Sequence, residues 1–152
     1  MTVRRAEFSE APEVMRVINA AFKPAESFFV DGDRIDLEQV RAFFEKGVFL
    51  VTDDLSGCVY IELRGPRAYF GLLSVDPARQ GNGVGKRLIT QAEEYARAHG
   101  SRFMDIRVVN LRVELPPFYR SLGYLETGTE EFPSGESPTK IPCHFVCMSK
   151  AL

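Results

Sequence analysis

Cysteine, histidine and long apolar runs are all scarce in this chain. Its 152 residues include 3 cysteines and 2 histidines. Cys58, Cys143 and Cys147 are an odd number with no export signal ahead of them, so reduced thiols are expected rather than a disulfide framework. Cys143 and Cys147 have only His144 as a further ligand type nearby, and a structural zinc site needs four ligands, so no metal is expected. No stretch approaches the ~20 apolar residues that a membrane-spanning helix requires. The opening segment, Met-Thr-Val-Arg-Arg-Ala-Glu, has no signal-peptide core. A cytoplasmic protein without a membrane partner is the expectation. Positive charge is not in excess either: 19 Lys+Arg against 21 Asp+Glu give a net charge of −2, with the basic residues scattered, which argues against a nucleic-acid partner. What remains, with 45% hydrophobic and 26% charged residues, is the composition of one ordinary globular domain spanning residues 1–152.

Glycine, by contrast, is concentrated in one place. Residues 75–86 read Val-Asp-Pro-Ala-Arg-Gln-Gly-Asn-Gly-Val-Gly-Lys and join a strand-like run ending at Val75 to a helix-like run opening near Val84. A glycine-rich turn at a helix start presents unpaired N–H groups, backed by the positive end of the helix dipole, and suits a phosphate. Spacing narrows the kind of phosphate ligand. A Walker loop needs Gly-x4-Gly-Lys followed by Ser or Thr; here Gln80 stands at the first glycine and Arg87 replaces the hydroxyl. The dinucleotide fingerprint needs glycines at relative positions one, three and six; counting from Gly81, the sixth is Lys86. A solvated turn capping a helix is the plain alternative.

The pattern that fits is Gln-x-x-Gly-x-Gly, at Gln80, Gly83 and Gly85, and in it the chain resembles the GNAT superfamily of acetyl-CoA-dependent N-acetyltransferases. A second segment adds to the resemblance. Residues 110–124, Asn-Leu-Arg-Val-Glu-Leu-Pro-Pro-Phe-Tyr-Arg-Ser-Leu-Gly-Tyr, are similar to the family's downstream motif, in which an asparagine follows the fifth strand and a tyrosine on the next helix precedes Leu-Gly-Tyr. The interval from Asn110 to Tyr119 is slightly longer than the commonest version, with the extra length near Pro116 and Pro117.

Element signals along the chain give an order. Residues 2–7 read as a strand. Ser9 as N-cap and Pro12 in the first turn open a helix over residues 12–22, and Asp36 caps a second helix that Gly47 closes. Residues 48–52, 58–64 and 68–75 form an antiparallel meander. A long helix over residues 84–99 ends at Gly100, and a strand follows at 103–109. A short helix at 115–122 precedes closing strands at 124–131 and 143–150, with a mobile loop between them at 132–142. The order βααβββαβαββ predicts an α/β fold with a mixed, mostly antiparallel sheet and helices on both faces; the resemblance implies the same order over nearly the whole chain.

The resemblance also implies roles. The amides of Gln80, Gly81, Asn82, Gly83, Val84, Gly85 and Lys86 grip the coenzyme A pyrophosphate, with Lys86 and Arg79 adding charge. Leu73, Ser74 and Val75 lie on a strand that splays from its neighbour and pairs with pantetheine, and Asn110 holds the same arm or merely caps its strand. Tyr119, with a phenol of pKa ~10, donates to the leaving thiolate of conjugate-acid pKa ~8.5, or is a core residue. The acceptor amine attacks the thioester directly in a ternary complex and first loses a proton, to Glu62, to His144 or to water. Glu62 shares a strand face with Tyr60 and Cys58, and a carboxylate among apolar neighbours holds its proton to higher pH. Residues 23–35 and 132–142 choose the acceptor: Glu26 attracts an ammonium, Phe28 and Phe29 wall the cleft, and Arg34 pairs with a carboxylate, unless all four simply decorate a surface loop. The expected acceptor is a small-molecule or amino-acid-like primary amine; peptide or protein acetylation and a non-catalytic acyl-CoA-binding module are the alternatives. A homodimer through the C-terminal strands is compatible with the family, but no residue pattern requires it.

Overall fold

The computed structural model describes residues 2–30, 32–132 and 141–152. The chain runs β1 (Val3–Arg5), α1 (Ala11–Glu26), α2 (Leu37–Lys46), β2 (Val48–Thr52), β3 (Gly57–Arg64), β4 (Arg67–Val75), α3 (Val84–Ala98), β5 (Phe103–Val109), α4 (Leu115–Ser121), β6 (Leu125–Glu131) and β7 (His144–Ala151). This is the order that the pattern predicts. The strands form a 7-stranded sheet ordered β1-β2-β3-β4-β5-β7-β6. Neighbours are antiparallel except β4 and β5, which are parallel. The loop expected at 132–142 falls mostly on residues 133–140, outside the described residues.

Side-chain alternation explains why both faces of the sheet are covered. Phe49 and Val51 of β2 and Cys58 and Tyr60 of β3 pack with Val14, Ile18 and Val40 of α1 and α2. Their chain neighbours Val48, Leu50, Val59 and Ile61 point the other way, against Leu88, Ile89 and Ala92 of α3.

The helix ends depart from the sequence pattern in two places. Ser9 does not cap α1: a 3-10 turn at Phe8–Glu10 comes first, with Glu7 and Glu10 forming a reciprocal capping box. α1 also runs past Phe22 and through Pro24 to Glu26, even though proline withholds one helical amide. The N–H groups of Phe29 and Val30 bond Glu26 O (3.1 and 2.9 Å) and satisfy that end. The Asn19 side chain binds both the N–H and the C=O of Ile35 (3.0 and 2.8 Å), folding the following segment back along the helix. α2 opens as expected, with Asp36 accepting from Gln39 N–H at 2.8 Å. Gly47 closes it in an extended conformation, φ −159°; it is glycine because a Cβ there would run into Ile61 O and the Tyr60 ring.

The central feature is a wedge between β4 and β5. The two strands pair only where Arg67, Ala68 and Tyr69 meet Phe103, Met104 and Asp105. β5 continues along β7 as far as Val109↔Phe145, while β4 continues along β3 to Gly57↔Val75. From Phe70 onwards the two strands therefore follow different neighbours. β4 also carries a bulge: between the pairs Cys58↔Ser74 and Tyr60↔Gly71, Leu72 and Leu73 face Val59 alone, and Leu72 takes φ +54°. A leucine in the left-handed region is strained, and bulges re-aim a strand.

One charged group sits inside the α3 face. Glu93 is 8% exposed; it accepts from Tyr124 OH at 2.6 Å and from Lys150 Nζ at 3.1 Å at each oxygen. This joins α3 to β7 and to the chain entering β6. Lys150→Met would leave the carboxylate buried with the phenol alone, and because Lys150 is partly exposed the expected cost is about 1–3 kcal/mol. Urea unfolding measures it; a change below about 0.5 kcal/mol would show that the pair does not support the fold.

Candidate active site

The glycine loop has the geometry of an anion cradle. Asp76 accepts from Ala78 N–H (2.9 Å) and caps a 3-10 turn at Pro77–Arg79. Gln80 Nε2 then donates to Val75 O at 3.1 Å, tying the loop to the end of β4. Gly81 and Gly83 have φ +87° and +77°, and a Cβ at either would meet no protein atom within 4 Å. Glycine is required there by backbone conformation, and the space above it is open to a ligand. The α3 hydrogen bonds begin with Arg87 N–H to Gly83 O at 3.1 Å, so the amides of Val84, Gly85 and Lys86 precede the ladder. No side chain caps them and no acidic residue lies in the first turn. They face a cavity of about 530 Å³, lined also by Gln80, Gly81, Gly83 and Arg79.

This cavity leads into the wedge. Leu73 and Val75 line it from β4 and Phe22 from α1. A second cavity, of about 370 Å³, opens between the diverging strands. Leu73, Phe22 and Arg112 line both, so they mark the junction. Tyr119 lines the second cavity, packed in a tilted or edge-on manner against Phe70, Phe118 and Tyr124. It is 6% exposed, burial pushes its phenol up to about 12, and among the described residues no hydrogen bond holds its hydroxyl.

The other anticipated residues divide into those that face a cavity and those that do not. Glu62 lines the second cavity beside Tyr119. Its surroundings are polar, not apolar as the strand pattern predicts: Oε1 accepts from Tyr60 OH (3.1 Å) and Oε2 from Arg64 Nε (2.5 Å). Glu26 lines it too, accepting from Arg112 Nη1 at 3.2 Å. Burial pushes the Glu26 carboxyl up, against the pull of Arg112 and Arg34. Arg34 lines the cavity with its guanidinium 5.6 Å from the Phe22 ring. Phe29, in contrast, is fully buried in a cluster with Val30, Val109 and Phe145, and Phe28 is 51% exposed; neither lines either of these two cavities. His144 is exposed and lines neither. Asn110 Oδ1 accepts from His144 N–H at 2.8 Å and fastens β5 to β7. The Ser74 hydroxyl donates to Leu72 O at 2.9 Å, inside the bulge. Asn82 is exposed and does not line the cavity.

Four contributors have no expectation attached to them in the sequence reading: Arg112, the Leu72 bulge, Tyr69 and Arg107. Only the spacing Tyr69-x-Gly71 carried a signal. A Cβ at Gly71 would run into the Tyr69 hydroxyl, so the phenol lies flat along β4 towards the bulge.

The acetyltransferase (GNAT) family model matches residues 12–124. The chain belongs to the GNAT family. No curated protein sequence matches it. Among solved structures, the GNAT chain resembles the ribosomal-protein-alanine N-acetyltransferase of Brucella melitensis (18% identity, TM-score 0.77, all of both chains covered). It also resembles IAA acetyltransferase of Bacillus cereus (17%, 0.77, 99% of both chains). A third similar structure is a Salmonella typhimurium protein determined with acetyl-CoA (19%, 0.76, 100% of this chain and 94% of that one). Membership makes acetyl-CoA the acetyl donor and an amine the class of acceptor. The free amides at Val84 to Lys86 and the open space above Gly81 and Gly83 fit the donor's phosphates. Among the described residues no group of side chains could hold a metal ion, and no helix is long and apolar enough to cross a membrane.

Gly83→Asp would place a carboxylate and a strained φ at the centre of the cradle. Calorimetric titration should show acetyl-CoA affinity falling by roughly a hundredfold while the fold persists. Unchanged affinity would remove the loop from the donor site.

Proposed function

We propose that this GNAT protein transfers the acetyl group of acetyl-CoA to the primary amine of a small, amino-acid-like acceptor, by direct attack with both substrates bound. The observation that carries the reading is the meeting of two cavities at Leu73 and Arg112, one below the glycine loop and one walled by Tyr119, Glu26 and Glu62. The loop amides, with Lys86, take the donor's phosphates, and the unpaired edge of β4 around Leu73 to Val75 receives the pantetheine arm. The thioester then lies at the junction, with its carbonyl carbon open to the second cavity.

In the reaction the N–C bond forms, the C–S bond breaks, and the proton that leaves the amine nitrogen is balanced by one gained at sulfur. Tyr119 donates its hydrogen bond to sulfur as negative charge develops there. A phenol pushed up to about 12 keeps its proton throughout the working pH range. The amine's proton leaves towards the cavity carboxylates, directly or through water. Of these, Glu26 sits beside the junction residue Arg112 and is shifted upward by burial, whereas Glu62 is held by Arg64.

Protein acetylation would be favoured by an open acidic groove, but the second cavity has five basic side chains and two acidic ones. A binding module without catalysis would have no use for a phenol lining the acceptor cavity.

Thiol release from acetyl-CoA over a panel of small amines tests the reading. At least one primary amine should be acetylated, with kcat/KM rising with pH as the amine (pKa ~10.4) loses its proton and showing no descending limb below the phenol's own range. Tyr119→Phe should lower kcat by roughly a hundredfold and leave acetyl-CoA affinity unchanged. A larger kcat loss in Glu26→Gln than in Glu62→Gln would mark Glu26 as the proton acceptor, and full turnover in Tyr119→Phe would remove the phenol from the mechanism.

A further inference from the structure

The charges of the acceptor cavity are not all matched within the protein. Of its five basic side chains, Arg112 is bonded to Glu26 (3.2 Å) and Glu114 (3.3 Å), and Arg64 to Glu62 (2.5 Å). That accounts for both cavity carboxylates. Arg34, Lys46 and Arg107 also line the cavity; Arg34 acts on Glu26 through its charge, but among the described residues none of the three is ion-paired at contact distance with a carboxylate inside the cavity. Arg107 is the best organised of the three. It stands on β5 with its guanidinium 4.5 Å from the Phe145 ring and 5.8 Å from the Tyr69 ring. Among the described residues its one carboxylate contact is Glu130 at 3.4 Å, across the sheet on β6, and Glu130 does not line the cavity. A guanidinium carries five N–H donors; contacts to Glu130 and to the Tyr69 phenol engage only part of that number.

Tyr69 gives the arrangement a direction. Its ring is 4.7 Å from the guanidinium of Arg64 and 5.8 Å from that of Arg107, while its hydroxyl reaches over Gly71 towards the bulge at Leu72 and Leu73. Two guanidinium groups thus stand near the phenol, whose hydroxyl lies beside Gly71 and the bulge that carries the junction residue Leu73. The rings that flank Arg107 hold it in place, which lowers the ordering cost of binding a planar anion.

We propose that the acceptor amine carries a carboxylate, held by Arg107 at the far end of the cavity, with the amine turned towards Leu73. This rests on the acetyl-transfer reading above and narrows its substrate class to amino acids and amino-terminal fragments with a free acid. Arg107 is then the specificity-determining residue, and Arg34 and Lys46 add long-range attraction for the same charge.

The test is equilibrium titration of the full chain, saturated with coenzyme A, with N-acetyl amino acids and with their primary amides, N-acetylglycine and N-acetylglutamate serving as the acids. Each acid should bind at least about tenfold more tightly than its amide, and added salt should narrow the gap. Arg107→Gln should remove the preference and Arg107→Lys should restore part of it, with coenzyme A affinity equal in all three proteins. Equal binding of acid and amide by the unmodified chain would overturn the inference, as would a preference that survives in Arg107→Gln. Selective binding of the acids without acetyl transfer to any free amino acid would remove the transfer reading while leaving the anion site in place.

Discussion

Buried backbone groups must find hydrogen-bond partners, and β4 has a partner strand on both edges only as far as Tyr69. Beyond that point its second edge lies inside the molecule, opposite a strand already paired along its whole length to β7. The slot cannot close without breaking the β3–β4 ladder or the β5–β7 ladder, each of which runs well past the split. It therefore leaves one edge of β4 without a partner strand beyond Tyr69. The left-handed Leu72 and its bulge aim the Leu73 backbone into this slot. Strain of that kind, of order 1–3 kcal/mol, is held only where the surroundings impose it. Here they are the ladder to β3 on one side and the bond from the Ser74 hydroxyl to Leu72 O on the other.

Charge is organised locally, in a way that the net value of −2 conceals. Unpaired helix-start amides, with Lys86, make the donor side attractive to phosphate, and the excess of basic over acidic side chains in the second cavity makes that side attractive to a carboxylate. Between them, Arg112 joins Glu26 on α1 to the chain entering α4. One ion pair thereby fixes the relative position of the two helices that border the junction. Low exposure of both partners keeps such a pair from being screened.

The layered fold was legible because apolar period and glycine and proline punctuation act locally. The five residues of β2, all buried, alternate between the two helical layers as a doubly covered strand should. The loop from Gln80 to Lys86 was legible for the same reason, since its glycines answer to backbone conformation. What could not be read was long-range. Nothing local distinguishes Leu72 from its strand neighbours, because its φ follows from register with Val59. Glu62 reads as a carboxylate in an apolar strand, and only the fold shows Arg64 turned back onto it. Phe29 reads as a cleft wall or a surface-loop residue, and the closure of α1 at Glu26 buries it. Arg107 carries no local signal, and it lines a cavity where β4 leaves β5.

Amide chemical shifts followed during titration with acetyl-CoA test the central claim, that the β4–β5 wedge and the glycine loop form one continuous donor site. Perturbations should concentrate at Gly81 to Lys86 and at Leu72 to Val75, saturate together, and leave the outer strands β1 and β6 unmoved. Shifts at the loop without any at Leu72 to Val75, or a largest response elsewhere on the sheet, would contradict it.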